Sequence, residues 1–339
     1  MSEFNLKEIN KLNLANLPTP IQRLERLSEE WGVDLWIKRD DFTGIETSGN
    51  KIRKLEYTIA KALSEEAGVV ITCGGIQSNH CRSTAAVAAR VGIKSHLVLR
   101  IDQEPPLEGN YLLDKILGAE ITFISRKDYS TRRNEIMKEI AEAYEAKGIK
   151  AYVIPEGASD GVGNLGYIEA VREIKAQEEQ LGVDFDTIVC AVGSGGTYSG
   201  LFLGAKLLAP KKEVYAFNVC DDEAYFLDVC TRIAKDTVQS LNAGIEVREE
   251  DMHIIDGYKG IGYAISRDEE LEFIIDVAKK EGVILDPVYT GKAFYGLYNE
   301  IKKGNFDKSK RILFIHTGGH FGVFPKQEQF EKLLQEGKL

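Results

Sequence analysis

The sequence predicts a doubly wound α/β protein, with mostly parallel open sheets covered by helices. Three observations predict it. Short apolar runs alternate along the chain with longer stretches that are apolar at helical spacing. The connections are short, and glycines such as Gly92 and Gly118 close the helices. Several strand-to-helix turns are rich in glycine and hydroxyl side chains, where open parallel sheets bind ligands. At 339 residues the chain exceeds one core of typical size, so two intimate α/β domains are expected.

Taken in order, residues 1–33 hold a leading segment, the turn Pro18-Thr19-Pro20 and a helix over 21–31. Residues 34–41 begin with strand-like alternation. The turn Thr47-Ser48-Gly49-Asn50-Lys51-Ile52-Arg53-Lys54 then opens a helix whose apolar positions continue to Leu63. Next come strand 69–73, a loop over 74–80, an alanine-rich helix over 83–91, strand 94–100 and helix 109–117. Strand 120–124, a charged helix around 132–147 and strand 150–154 complete this half. Pro155-Glu156-Gly157-Ala158-Ser159-Asp160-Gly161 breaks the pattern and reads as a crossing between domains. Helix 164–181, strand 187–192, a glycine-rich loop, helix 198–208, strand 213–219 and helix 224–241 follow. Residues 242–265 are irregular. Helix 268–281, a loop over 285–290, helix 291–302, strand 311–315 and a final loop close the chain.

Composition narrows the function. Apolar residues make up 43% and charged residues 28%, enough to fill a core and too patterned for disorder. The formal charge of −10, with no basic stripe, argues against a nucleic-acid partner. Residues 1–7 lack a basic and apolar leader, and no apolar run approaches a membrane span, so a cytoplasmic protein is expected. The five cysteines include no C-x-x-C pair and read as reduced core residues.

The candidate chemistry sits in turns. Lys51 falls in the first turn of a helix, with Lys54 three residues on. The helix dipole and that second cation both disfavour its ammonium, and a lysine with a lowered pKa suits Schiff-base chemistry. Four loops read as lying at strand ends: 74–80, 193–200, 286–291 and 316–322. Gly193-Ser194-Gly195-Gly196-Thr197 opens a helix and suits a phosphate. A dinucleotide reading is weakened there, because Tyr198 stands where the third glycine of that fingerprint belongs, although Asp221 and Asp222 end the next strand. Gln77, Ser78 and Asn79 form either a helix cap or a carboxylate cradle. His316 and His320 lack an acidic third ligand nearby in sequence, which argues against a metal. A turn lysine, a phosphate cradle and a carboxylate cradle together suggest pyridoxal 5'-phosphate and a small amino-acid substrate.

Four motifs, Ser48-Gly49-Asn50-Lys51, Gly75-Ile76-Gln77-Ser78-Asn79-His80, Gly193-Ser194-Gly195-Gly196-Thr197 and Asp286-Pro287-Val288-Tyr289-Thr290-Gly291-Lys292-Ala293, carry a resemblance. Together and in this order they resemble the D-cysteine desulfhydrase and 1-aminocyclopropane-1-carboxylate deaminase family, fold type II enzymes of the tryptophan synthase β kind. The resemblance implies that Lys51 carries the cofactor and that Asn79 bonds its phenolic oxygen. Lys54, Gly193, Ser194, Gly195, Gly196 and Thr197 would hold its phosphate. Ser78, with Gln77 and Asn79, would meet the substrate carboxylate, and Tyr289 and Tyr263 would stand near the substrate. The expected division is a smaller domain over 52–157 and a larger one of 1–51 plus 158–339, the active site lying in the cleft between them. A homodimer is expected.

Within the family, the deaminase pattern has Glu after the motif tyrosine and Leu before the late glycine pair, where this chain has Thr290 and Thr317. A carboxylate facing the cofactor's ring nitrogen keeps it protonated, as cyclopropane opening needs. A hydroxyl suffices where an α-proton and a good leaving group are present. Both threonines resemble the desulfhydrase branch, which implies α,β-elimination of D-cysteine to pyruvate, hydrogen sulfide and ammonia. L-cysteate sulfo-lyase and 1-aminocyclopropane-1-carboxylate deaminase activities stand as alternatives. From other classes, an NAD dehydrogenase using 193–200 or a pyridoxal-phosphate-binding protein without catalysis also stand.

Overall fold

The computed structural model describes residues 9–335, so the reading of residues 1–7 as lacking a leader lies outside the described residues. In chain order the elements are β1 (Ile21–Arg23), α1 (Glu25–Trp31), β2 (Asp34–Lys38), α2 (Lys51–Ser64), β3 (Val69–Gly75), α3 (Asn79–Val91) and β4 (Lys94–Ile101). Then come α4 (Gly109–Ile116), β5 (Glu120–Ser125), α5 (Arg126–Glu145), β6 (Ala151–Val153), α6 (Leu165–Leu181), β7 (Thr187–Val192), α7 (Gly196–Leu208) and β8 (Glu213–Asn218). The last are α8 (Glu223–Ser240), β9 (His253–Ile255), α9 (Asp268–Glu281), α10 (Thr290–Lys302), β10 (Arg311–Ile315) and α11 (Gln327–Gln335).

They form two sheets. One has six strands in the order β1-β2-β10-β7-β8-β9, and the other has four in the order β5-β4-β3-β6. Every pairing is parallel except β1 with β2. Helices cover both faces, which is why the central strands are apolar throughout rather than alternating. In β7, Ile188, Cys190 and Val192 pack under α6, α7 and α8, while Val189 and Ala191 face α1, α9 and α10. In β3, Val70 packs with α2 and α3, whereas Val69, Ile71 and Cys73 meet α5. Each fully buried Val or Ile among them contributes about 1.5–3 kcal/mol. All five cysteines are free, and only Cys220 is less than fully buried.

Four local readings are corrected. The helix expected over 21–31 is split, because Ile21–Arg23 pairs antiparallel with β2 (Ile21 opposite Lys38) and the helix begins only at Glu25. Strand pairing overrides the helical spacing there. β9 lies in the stretch read as irregular, too short to show a period. The final loop contains α11, whose Leu333 is buried against the core. The loop over 286–291 follows no strand. It joins α9 to α10.

Candidate active site

The turns after β3, β7 and β10 and the turn before α2 meet at the carboxyl ends of the parallel strands. They enclose one cavity. Lys51, Ser78, Asn79, Thr317 and the tyrosines Tyr263 and Tyr289 line it, as do Gly193, Ser194, Gly195 and Thr197. The cavity shares Gly75, Glu156, Gly193, Ser194 and Tyr263 with a wider outer chamber of about 630 Å³.

Lys51 opens α2, as its turn predicts. Its amine is pushed down to about 8, and desolvation by burial is the main cause, with Glu156 and Asp286 opposing it. The sequence pointed to the helix dipole and Lys54; burial is what lowers the amine's pKa. The turn is fixed by backbone contacts: Asn50 N donates to Thr317 O (3.1 Å), and Thr43 Oγ1 donates to Gly49 O (3.0 Å). A Cβ on Gly49, at φ +105°, would lie 2.6 Å from Thr317 O, and one on Gly318 would lie 2.6 Å from Gly49 Cα. Only glycines allow these two loops to touch.

Lys54 stands behind the glycine loop rather than on the cavity wall. Its fully buried ammonium has a single protein partner among the described residues, the Ser159 hydroxyl at 3.3 Å. Burial and then the Lys51 charge push it well below its ordinary value, against Asp160. Ser159 Oγ also accepts from Gly196 N (3.3 Å) and bonds Ser194 Oγ (2.8 Å). Asn50 Nδ2 donates to Thr197 Oγ1 (2.8 Å). A Cβ on Gly196 would lie 2.8 Å from Ser159 Oγ and 3.0 Å from Lys54 Nζ, so that position must remain bare.

A half-partnered buried lysine, hydroxyls and the first-turn amides of α7 are of the kind that suits a phosphate dianion. The pyridoxal phosphate expected from the sequence therefore fits the residues present. Lys54→Met, nearly isosteric, is expected to weaken cofactor binding about 10–100-fold. Titrating apoprotein with pyridoxal phosphate, followed by visible absorbance, measures it; an unchanged midpoint removes Lys54 from the cradle.

On the opposite wall, Ser78 caps α3, its Oγ accepting from Cys81 N at 3.2 Å. Asn79 Oδ1 accepts from Asn110 Nδ2 (2.9 Å), which leaves its own NH₂ without a protein partner among the described residues. Tyr263 and Tyr289 share a 2.6 Å hydroxyl hydrogen bond, and the Tyr289 ring centre is 5.9 Å from Lys51 Nζ. Burial raises both phenols far above their ordinary value.

Two predicted site residues point elsewhere. Gln77 donates through Nε2 to Glu108 O (3.1 Å) and accepts at Oε1 from Asn110 N (2.8 Å), so it holds the start of α4. Thr290 is not on the cavity wall. Its hydroxyl accepts from Asp286 N (2.8 Å) and donates to Asp286 Oδ1 (2.7 Å). Asp286 itself accepts from the amides of Val288, Tyr289 and Thr290, so the Asp286-to-Thr290 motif is a helix-opening turn built on its aspartate. Thr317, in contrast, lines the cavity, and its hydroxyl has no protein partner among the described residues.

Sequence reasoning missed Ser159, Glu156 and His80. The first two lie in the segment read as a domain crossing, whose glycines and hydroxyl carried the same signal as the other loops. His80 lines the cavity. Thr72 Oγ1 donates to Ile154 O (2.9 Å) and so accepts from His80 Nε2 (2.8 Å), leaving Nδ1 bare, and burial keeps the ring neutral. Asp222, weighed as a ribose ligand, caps α8 through Tyr225 N (2.9 Å). Asp41 does come within 4.8 Å of His316 and His320, a neighbour the sequence did not reveal. Yet Arg39 grips Asp41 (2.6 and 2.9 Å), while His316 bonds Ile284 O (3.0 Å) and Gly318 N (3.2 Å), so its ligand atoms are already engaged.

Residues 12–318 match the family model described as pyridoxal-phosphate dependent enzyme. The bifunctional D-cysteine desulfhydrase/1-aminocyclopropane-1-carboxylate deaminase, mitochondrial, of Arabidopsis thaliana is 48% identical over 95% of this chain and 81% of its own length. A Thermotoga maritima protein, provisionally named a 1-aminocyclopropane-1-carboxylate deaminase, is 46% identical over 94% of this chain and 99% of its own. The crystal structure of an ACC deaminase homologue superposes with a TM-score of 0.90 at 41% identity, covering 98% of this chain and 99% of that one.

Proposed function

The chain belongs to the family of pyridoxal-phosphate dependent enzymes, and from that premise we propose that it eliminates the β-substituent of a small amino acid, D-cysteine before others. The products are pyruvate, hydrogen sulfide and ammonia, with one water consumed. Bound in the cavity, pyridoxal phosphate would draw off the electrons of bonds broken at the substrate's α-carbon. The chain supplies the rest. Lys54, Ser159 and the α7 amides would hold the phosphate, and Asn79's free amide the ring's phenolic oxygen. Ser78 and the first-turn amides of α3 would take the substrate carboxylate.

Proton roles follow from the two kinds of group present. Lys51, with its amine lowered to about 8, has a neutral fraction at physiological pH and is the base for the α-proton. The tyrosines remain protonated, so Tyr289 acts as donor, its hydroxyl supplying the departing sulfur while Tyr263 orients it at 2.6 Å. Tyr289→Phe is expected to slow turnover about 10²–10⁴-fold with the visible cofactor band unchanged. Equal rates would end its role as proton donor.

The observation that carries D-cysteine over the cyclopropane is Thr317. It lines the cavity where the deaminase pattern has Leu, and at the position of that pattern's Glu stands Thr290, turned onto Asp286, so neither position offers the carboxylate that would keep the cofactor's ring nitrogen protonated. The names of the relatives also favour a second reading, 1-aminocyclopropane-1-carboxylate deamination. The test is to incubate holoprotein with D-cysteine, L-cysteine, L-cysteate and 1-aminocyclopropane-1-carboxylate. Pyruvate and sulfide from D-cysteine support the proposal. 2-Oxobutyrate from the cyclopropane overturns the reading of Thr317, and pyruvate with sulfite from L-cysteate changes the leaving group. The proposal extends to organisation: residues 52–157 as the smaller domain and 1–51 plus 158–339 as the larger. The four-stranded sheet drawn wholly from β3 to β6 supports it.

A further inference from the structure

We propose that Arg100 selects the substrate of this site by taking the negative charge on its β-substituent, which favours amino acids whose sulfur group is, or leaves as, an anion. The inference rests on the elimination reading above and adds the side-chain subsite.

Arg100 lies near the carboxyl end of β4, paired in parallel register with Gly75. Its guanidinium carbon is 5.1 Å from the Tyr129 ring centre and 5.4 Å from that of Tyr263. Two aromatic rings thus hold the planar group without using any of its five N–H donors. Among the described residues it makes no hydrogen bond and no ion pair.

Its neighbours differ. Arg126 is paired with Asp102 (2.5 Å), and Arg133 donates to Tyr129 O (3.1 Å) and lies 3.9 Å from Glu156. Glu156 in turn accepts from the Tyr129 hydroxyl (2.6 Å). Asp221 and Asp236 line other parts of the same chamber, and neither forms an ion pair with Arg100.

Position gives this free fork its meaning. Arg100 lines the outer chamber at the place where the inner cavity opens into it, beside Gly75 and Tyr263. A Cβ on Gly75 would lie 3.6 Å from an Arg100 terminal nitrogen and 3.7 Å from the Tyr263 ring, so the wall between cation and cavity is a bare glycine. Lys51, Tyr289, Tyr263 and Arg100 form a row of successive contacts from the cavity to the chamber.

In the elimination the α-proton goes to the base and the Cα–Cβ double bond forms. The electron pair of the Cβ–S bond departs on sulfur. A guanidinium at the exit opposes that charge, and its fork matches a sulfonate's oxygens in a two-point contact. A hydroxyl substituent offers it neither.

The test compares 3-sulfopropanoate with propanoate as ligands of the holoprotein, read from the cofactor's visible spectrum and by calorimetry. Wild type is expected to prefer the sulfonate by about 10–100-fold, as charge-assisted hydrogen bonds imply. In Arg100→Gln that preference falls to near one, while Arg100→Lys keeps part of it. A preference unchanged in Arg100→Gln overturns the proposal. In the unsubstituted protein, 3-sulfopropanoate and not propanoate is expected to protect Arg100 from phenylglyoxal, located by peptide mass. Equal modification with both overturns it independently of any variant. Should holoprotein eliminate no β-substituent at all, the reaction reading falls, and these binding measurements still decide Arg100.

Discussion

Lys51→Ala is expected to abolish the visible absorbance of the bound cofactor and to lower turnover by more than about a thousandfold. In the proposed function the amine is both the nucleophile for cofactor attachment and the base for the α-proton, so both readouts would depend on one atom. Its lowered pKa adds a signature. The neutral amine is the reactive form, and at pH 8 an ordinary lysine is about 0.3% neutral. Lys51, at about 8, is half neutral there. The rate at which apoprotein takes up pyridoxal phosphate should therefore rise through pH 8 and level off by about pH 9. A rate still climbing toward pH 10.5 would show that burial does not activate this lysine.

Arg53→Met is expected to destabilise the protein by about 3–5 kcal/mol, measured by urea unfolding of the apoprotein. Arg53 is 2% exposed and holds Asp40 through two bonds (2.8 and 2.9 Å) and Glu173 through two more (2.9 and 3.0 Å). Lys38 reaches Glu173 (2.6 Å), and Tyr167 and Thr19 donate to Asp40 (2.6 and 2.7 Å). Removing only the guanidinium leaves two acidic groups with little or no exposure facing a single lysine, which costs more than replacing the whole network by apolar side chains would. Burial alone raises the Asp40 carboxyl, and Arg53 overrides it, so the native pKa lies below the ordinary value. The contribution is therefore present above about pH 4 and is lost as pH falls through the native pKa. A variant within 1 kcal/mol of wild type would show the network to be replaceable. Because Arg53 sits two residues after Lys51, cofactor uptake should weaken as well.

The sheet-and-helix alternation was legible because burial on both faces writes continuous apolar strands and long amphipathic helices into the chain. That Lys51, the glycine loop and Ser78-Asn79 stand in turns was legible because glycines and short polar side chains mark turns in sequence, and these turns do line one cavity. What depended on pairing between distant segments was not. β1 exists through β2, Gln77 is claimed by Asn110, and Asp41 meets His316 only because β2 pairs with β10. Thr290 was misassigned because a turn and a ligand site call for the same hydroxyl, and only its 2.7 Å bond to Asp286 separates them. Arg100 was one arginine among many until its lack of an acidic partner could be seen.

The bare contact between Gly49 and Gly318 also sets a time at which this site comes into being. The lysine turn leaves the ribosome early, yet the loop that braces it follows 269 residues later. At about 5–20 residues per second that interval lasts tens of seconds. Through it the nascent chain carries its lysine without the wall that completes the cavity, so the burial that lowers the amine's pKa is not yet in place. Cofactor capture is therefore a late event of biogenesis, and chains stalled before residue 317 should emerge colourless even where their sheets have formed.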